Sequence, residues 1–174
     1  DEKRFYTWTL QSHIDLARAV WLDYCECKMI DTIAREPLWR HLINYRCGTG
    51  HSVSFVGNVH EGPHALNGRN TTLMRPGMIV TDEPGVYETD LVGIRIENEL
   101  VCVHKADNQY GTFLGFEPIM FVPIATSPIV PGVLTKDELD WLNNYHRQVF
   151  EKLAPRLNDE EREWLAKKCA AIGC

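Results

Sequence analysis

Positive charge is in short supply in this sequence: 18 lysines and arginines stand against 24 acidic residues, for a formal net charge of −6 and a pI near 5.6. A duplex nucleic-acid footprint needs clustered Lys and Arg to displace counterions from phosphates. No such cluster occurs, so no nucleic-acid partner is expected. Long apolar runs are missing too, none approaching the roughly 18 residues that span a bilayer, and the opening DEKRFYTW lacks the charged-then-apolar pattern of a signal peptide. A cytoplasmic setting without membrane contact is the expectation, although a first residue other than Met leaves room for an upstream segment. Neither a CxxC spacing nor a disulfide framework is present. Cys25 and Cys27 are one residue apart, and a chain of 174 residues has core enough to fold with all six cysteines reduced and mostly buried.

With 44% hydrophobic and 24% charged residues the composition is that of an ordinary globular domain. Phe5, Leu10, Ile14, Ala17 and Trp21 recur at helical spacing, which predicts an amphipathic helix over the first twenty-odd residues with His13 near its apolar edge. A second helix starts near Lys28, and Pro37 is expected to interrupt it and open a new turn carrying Leu38, Leu42 and Ile43. From Gly48 to about Val122 the period changes to two: Met78, Val80 and Asp82 share one strand face and Ile79, Thr81 and Glu83 the other, and Gly93 to Glu97 alternates as clearly. Glu83-Pro84-Gly85 reads as a turn between these two strands, a hairpin or near neighbour pair that brings Glu83 and Glu97 together. Beyond a proline-punctuated connector at 125–133, Thr135 with Glu138 and Asn158 with Glu161 are capping boxes. The first opens a helix that ends at Pro155 and the second one that stops at Gly173. The reading is α+β, with residues 1–124 as the main domain and 125–174 as a connector and helical tail.

His51, Glu83 and Glu97 are nitrogen and oxygen donors of the kind that suit Mn, Co, Zn or Fe(II) rather than a soft metal. Spacing alone leaves the bland alternative open, since a lone histidine beside glycines is more often structural and a strand Glu more often a solvated surface residue. His51 and His60 stand nine residues apart, which on a regular strand would send them to opposite faces.

The motifs GTGH, NVHEGP, GMIVTDEPGVYE and GIRIEN, in this order, resemble the catalytic domain of the Xaa-Pro aminopeptidase (aminopeptidase P) family of pita-bread metallopeptidases, and FEPIMFVPI and LTKDELDWLNNYH are similar to the end of its long-chain members. The resemblance runs from about His13 onward. It implies a pita-bread fold incomplete on its N-terminal side, and a dinuclear centre of two divalent ions, manganese with zinc or cobalt as alternatives. It makes His51 and Glu83 metal ligands and Glu97 a carboxylate bridging both ions, and brings His60 into the same cavity as the histidine that handles substrate. Arg95 supports the carboxylates, as bidentate Arg does. The implied reaction is hydrolysis, by hydroxide generated at the ions, of the bond between an N-terminal residue and a following proline. Glu83 passes the proton to the leaving nitrogen and His60 stabilises the oxyanion.

The pattern also departs from that family. Two aspartate ligands are expected on strands preceding the first helix, and Asp15, Asp23 and Asp31 do not sit in the matching motif. The 174 residues therefore read as the C-terminal part of a longer enzyme, inactive without its N-terminal part. Cys47 stands where a substrate-site histidine is usual, and Ser52 and Ser54 where glycines are. The competing reading is a non-catalytic pita-bread module that binds peptides or proteins. Trp141, Tyr145 and Trp164 either face a second subunit of a homodimer or pack on their own domain. Asn70-Thr71-Thr72 forms a glycosylation triplet, which without a secretory route carries little weight.

Overall fold

The computed structural model describes residues 1–173, and the Cys174 thiol lies outside them. Two helices lie against the sheet. In α1 (Glu2–Ala17) Leu10, Ile14 and Leu16 are fully buried, and in α2 (Cys27–Trp39) so are Ile30, Ala34 and Leu38. The first helix is shorter than its periodicity suggests, because β1 (Val20–Leu22) follows at once and Trp21 packs from a strand against Phe116, with ring centroids 4.6 Å apart. Nor does Pro37 interrupt the second helix. It sits buried inside α2, and the chain turns away only at Leu42, whose φ of 60° ends the helical path and leaves its side chain 95% exposed. Burial of Leu38 beside Tyr45 and Val86 outweighs the single backbone bond that proline forgoes.

The remaining strands are β2 (Gly50–His51), β3 (Ala65–Leu66), β4 (Ile79–Asp82), β5 (Gly85–Glu88), β6 (Val92–Arg95), β7 (Asn98–Asn108) and β8 (Gly111–Pro118), and every pairing between them is antiparallel. The main sheet has the order β1-β8-β7-β4, with two-stranded pairs β2-β3 and β5-β6 beside it. Glu83-Pro84-Gly85 is not the turn its composition suggests. The pairs Asp82↔Asn98 and Gly85↔Arg95 keep one register through it, so β4 to β5 and β6 to β7 form one long hairpin that sets Glu83 opposite Glu97. Pro84 has no N–H to give, and the ladder breaks there while the chain continues. The actual turn is at Thr89-Asp90, where Asp90 takes φ 60° and the Leu91 N–H donates to the Glu88 carbonyl at 3.1 Å.

At the C-terminal end α3 (Lys136–Leu153) and α4 (Asp159–Lys168) begin with the two capping boxes foreseen at Thr135/Glu138 and Asn158/Glu161. A single 3₁₀ turn at Ala154–Arg156 joins them, and α4 stops at Lys168, short of Gly173. Glu138 also accepts from Gln11 Nε2 at 3.2 and 3.0 Å, tying the start of α3 to α1. Tyr145 is buried, its hydroxyl accepting from Asn98 Nδ2 at 2.9 Å, and Trp141 stacks on it at 5.3 Å. Of Trp141, Tyr145 and Trp164 only Trp164 is left well exposed. Cys27 and Cys102 are buried, and no disulfide forms among the described cysteines.

Candidate metal centre

A glycine lets the site form. The strand pair β2-β3 is laid against β4 by a bridge between Ser52 and Val80, and a Cβ on Gly50 would fall 1.7 Å from the Thr81 carbonyl oxygen. No other residue permits that approach. One step on, the Glu83 N–H donates to the Thr49 carbonyl at 2.8 Å, so the chain just before His51 and the chain at Glu83 are locked side by side.

His51 Nε2 therefore lies 3.1 Å from Glu83 Oε1, with both side chains about four-fifths buried (19% and 16% exposed). The other ring nitrogen, Nδ1, is 3.0 Å from the Ser52 carbonyl. A carbonyl only accepts, so Nδ1 donates to it, and in the neutral form of the ring the Nε2 lone pair faces a carboxylate oxygen. Two lone pairs at that distance repel unless a positive charge stands between them, supplied by a proton on Nε2 or by a metal ion. With ligand bonds of about 2.0–2.2 Å, two donors to one ion stand about 3 Å apart. The donor types and their separation thus fit a divalent cation, and the carbonyl on Nδ1 is the usual outer partner of a metal-ligating histidine.

The second carboxylate oxygen of Glu83 is held by Arg95, whose Nη1 donates to Oε2 at 2.6 Å and to the Glu83 carbonyl at 2.7 Å while Nε donates to the Tyr87 hydroxyl at 2.9 Å. Burial works against the guanidinium charge, but Tyr87 and Glu83 more than offset it and raise Arg95 above its ordinary range. His60 reaches the same place from the loop between β2 and β3. Its ring centroid is 3.9 Å from that of His51 at an interplanar angle of 61°. His51, His60, Glu83, Arg95 and Cys47 line one open cavity of about 310 Å³. Glu97 does not line it. It is exposed, opposite Glu83 across the hairpin, and near enough for its charge to act on Asp82. Among the described residues no group of three or more His, Cys, Asp or Glu side chains lies close enough to hold a metal unaided.

The sequence pattern of metallopeptidase family M24 matches residues 1–104, and that of the C-terminal region of peptidase M24 matches residues 112–172. The chain belongs to metallopeptidase family M24. Aminopeptidase P1 of Lotus japonicus is 42% identical over 179 residues, covering 99% of this chain and 27% of that protein. Aminopeptidase P2 of Arabidopsis thaliana is 44% identical over 171 residues, covering 94% of this chain and 24% of that protein. The chain thus spans about a quarter of the length of these curated relatives. Among solved structures, an X-prolyl aminopeptidase from Caenorhabditis elegans, described as a cytosolic enzyme with a di-nuclear active site, superposes with a TM-score of 0.89 at 37% identity over 98% of this chain and 29% of that one. The prolidase of Pyrococcus furiosus gives 0.55 at 25% identity over 67% of this chain and 31% of that one. The α+β architecture is that of a partial pita-bread fold.

Two side chains around the site have no role in the motif reading. Arg35 of α2 binds Asp31 Oδ2 at 2.7 Å and the carbonyls of Tyr45 and Cys47 at 2.9 Å each, clamping the loop that leads to His51. Asp31 and Arg35 stand four apart on a helix, a spacing visible in the sequence, but their carbonyl partners belong to a loop that only the fold brings near. Tyr87, on the face of β5 that Arg95 crosses, is another. Asn70 of the glycosylation triplet is committed within the protein, its Nδ2 donating to the Pro63 carbonyl at 2.9 Å.

Proposed function

We propose that this chain carries the His51-Glu83-Glu97 side of the metal centre of an Xaa-Pro aminopeptidase, which removes the residue preceding a proline at the second position of a peptide. The observation that carries this reading is His51 Nε2 facing Glu83 Oε1 at 3.1 Å while Nδ1 is taken up by the Ser52 carbonyl. The relatives named aminopeptidase P support it. Two divalent ions, manganese in the first place with zinc or cobalt as alternatives, would be held by His51, Glu83 and Glu97 together with two aspartates from residues of the intact protein outside 1–174. Held there, the ions would supply Lewis-acid polarisation of the peptide carbonyl and a water acidified to near neutrality.

The chain's own residues do the rest. His60, exposed at the cavity mouth beside His51, donates to the carbonyl oxygen as charge develops on it. Glu83 accepts the proton of the attacking water and delivers it to the proline nitrogen as the C–N bond breaks. Arg95, fixed on Glu83 Oε2 at 2.6 Å, holds that carboxylate in the orientation both tasks need. Proline supplies no N–H to its acyl bond, so recognition falls to its ring and to the free amino terminus. Residues 1–124 serve as the catalytic body and 125–174 as a packed tail, whose exposed Trp164 is the aromatic available to a second subunit of a homodimer in the cytoplasm.

Hydrolysis by the intact protein tests this. With Mn²⁺ present it should release the first residue from an Xaa-Pro peptide and leave an Xaa-Ala peptide untouched, lose activity to a chelator and regain it on metal addition. An intact protein that binds Xaa-Pro peptides but neither retains a divalent ion at neutral pH nor cleaves them is a binding module instead.

A further inference from the structure

Thr81 stands between the two side chains assigned to the metal, and the chemistry above makes no use of it. It is buried, 3% exposed, on the face of β4 that also bears Glu83. Its Oγ1 accepts the backbone N–H of His51 at 2.9 Å and donates to Glu83 Oε1 at 2.9 Å. Both directions are forced. A backbone N–H only donates and an ionised carboxylate only accepts, so the one hydroxyl proton points at Oε1.

Those two bonds close a ring. From Thr81 Oγ1 it runs through the His51 N–H and back along the chain to the Thr49 carbonyl, across to the Glu83 N–H at 2.8 Å, and through the Glu83 carboxylate to the hydroxyl again. The ring is anchored on the α2 side, because the Thr49 hydroxyl bonds both Asp31 and the Tyr45 hydroxyl. With Thr81 on Oε1 and Arg95 on Oε2, both Glu83 oxygens are fixed and the carboxylate cannot rotate. The lone pair of Oε1 that Thr81 leaves free is the one available to share an ion with His51 Nε2.

We propose that Thr81 is the positioning residue of the centre, its single hydroxyl setting the separation of the His51 imidazole and the Glu83 carboxylate and through it the affinity for a divalent ion. The inference rests on the reading of His51 and Glu83 as metal ligands. It differs from a packing role in a way two substitutions resolve, because valine keeps the shape of threonine without the hydroxyl, and serine keeps the hydroxyl without the methyl group.

The measurement is the Mn²⁺ dissociation constant of the intact protein, by competition with a chelating dye, alongside kcat and KM on an Xaa-Pro peptide and the melting temperature of the metal-free form. Thr81→Val should weaken Mn²⁺ binding about 10- to 100-fold, the usual cost of losing an outer-shell partner, and lower kcat in step. Thr81→Ser should stay within about threefold of the unaltered protein, as conserved hydrogen bonding requires. The reverse order, with valine silent and serine impaired, assigns Thr81 to packing and overturns the inference. If Thr81→Val does not fold, Thr81→Ala against Thr81→Ser reads the same contrast. An unaltered protein that binds no Mn²⁺ removes the metal-site reading, and this inference with it. Normal binding in the unaltered protein and in Thr81→Val removes the role of Thr81 alone.

Discussion

Two histidine-carboxylate pairs sit back to back across one strand. On one side of β4, His13 Nδ1 lies 3.1 Å from Asp82 Oδ2, and both side chains are wholly buried under α1. On the other, His51 Nε2 lies 3.1 Å from Glu83 Oε1 beside an open cavity. Distance and chemistry match, and the carboxylates are consecutive residues sent to opposite faces by the strand's period of two. Their surroundings differ. Neither nitrogen of His13 nor either oxygen of Asp82 has a well-formed hydrogen bond among the described residues, so packing and mutual attraction hold the inner pair. Burial pushes the Asp82 carboxyl up, His13 opposes that, and the nearby Glu83 and Glu97 charges reinforce it. Glu83, by contrast, is hydrogen-bonded by Thr81 and Arg95 and still has a lone pair directed at the cavity. The same pair of groups fastens the helix to the sheet where water is excluded and can offer ligands where a cation has access.

Substitutions that break one pair and spare the other should give opposite phenotypes. The largest effect is expected for His51→Ala: loss of Xaa-Pro hydrolysis by the intact protein on the order of 10⁴-fold, with a melting temperature little changed, because several kcal/mol of barrier lowering depend on the ions. Asp82→Ala should destabilise the fold by about 3–5 kcal/mol in urea unfolding, since it strands a buried partner, while joint replacement of His13 and Asp82 by leucine should recover most of that loss. Activity of the refolded double variant measures how far the inner pair matters beyond stability. Arg95→Lys, which replaces a planar fork by a point charge on Glu83, should weaken metal binding about tenfold and leave unfolding unchanged.

A buried histidine with no carboxylate partner among the described residues sharpens the contrast with the smallest effect. His146 Nε2 accepts the Ile124 N–H at 3.0 Å, and burial holds its pKa below the usual 6.5 despite that bond. The unfolded chain then takes up the proton first, so the stability due to neutral His146 is complete above the unfolded-state pKa and is lost as pH falls through it toward the folded-state value. Urea unfolding between about pH 7 and pH 5 should show this decline, and His146→Gln should remove it.

Local signals in the sequence translated directly into structure where the physics is local. Thr135 with Glu138 and Asn158 with Glu161 cap their helices as their spacing requires, and the alternation from Met78 to Glu83 separates Asp82 from Glu83 correctly. Trp21, Pro37 and the Glu83-Pro84-Gly85 segment misled for the opposite reason. Each carries a strong local preference that distant contacts override: a strand partner for Trp21, core burial around Pro37, and a register held on both sides of Pro84. At the candidate site the motifs named His51, His60, Glu83 and Arg95, which the fold gathers round one cavity, and Glu97, which it places across the hairpin and outside that cavity. The hydroxyl of Thr81 and the clamp of Arg35 are not legible in the sequence, because their roles depend on β2 lying against β4 and on a loop folding back to α2. Gly50 was visible as a glycine, but not the carbonyl it must pass.

The most direct test is an anomalous difference map at the manganese edge from crystals of the intact protein grown with Mn²⁺. The account predicts a peak bound by both His51 Nε2 and Glu83 Oε1 at about 2.0–2.4 Å, with Glu97 reaching a second peak beside it. A map with His51 still paired directly to Glu83, and manganese absent or bound elsewhere, would contradict it.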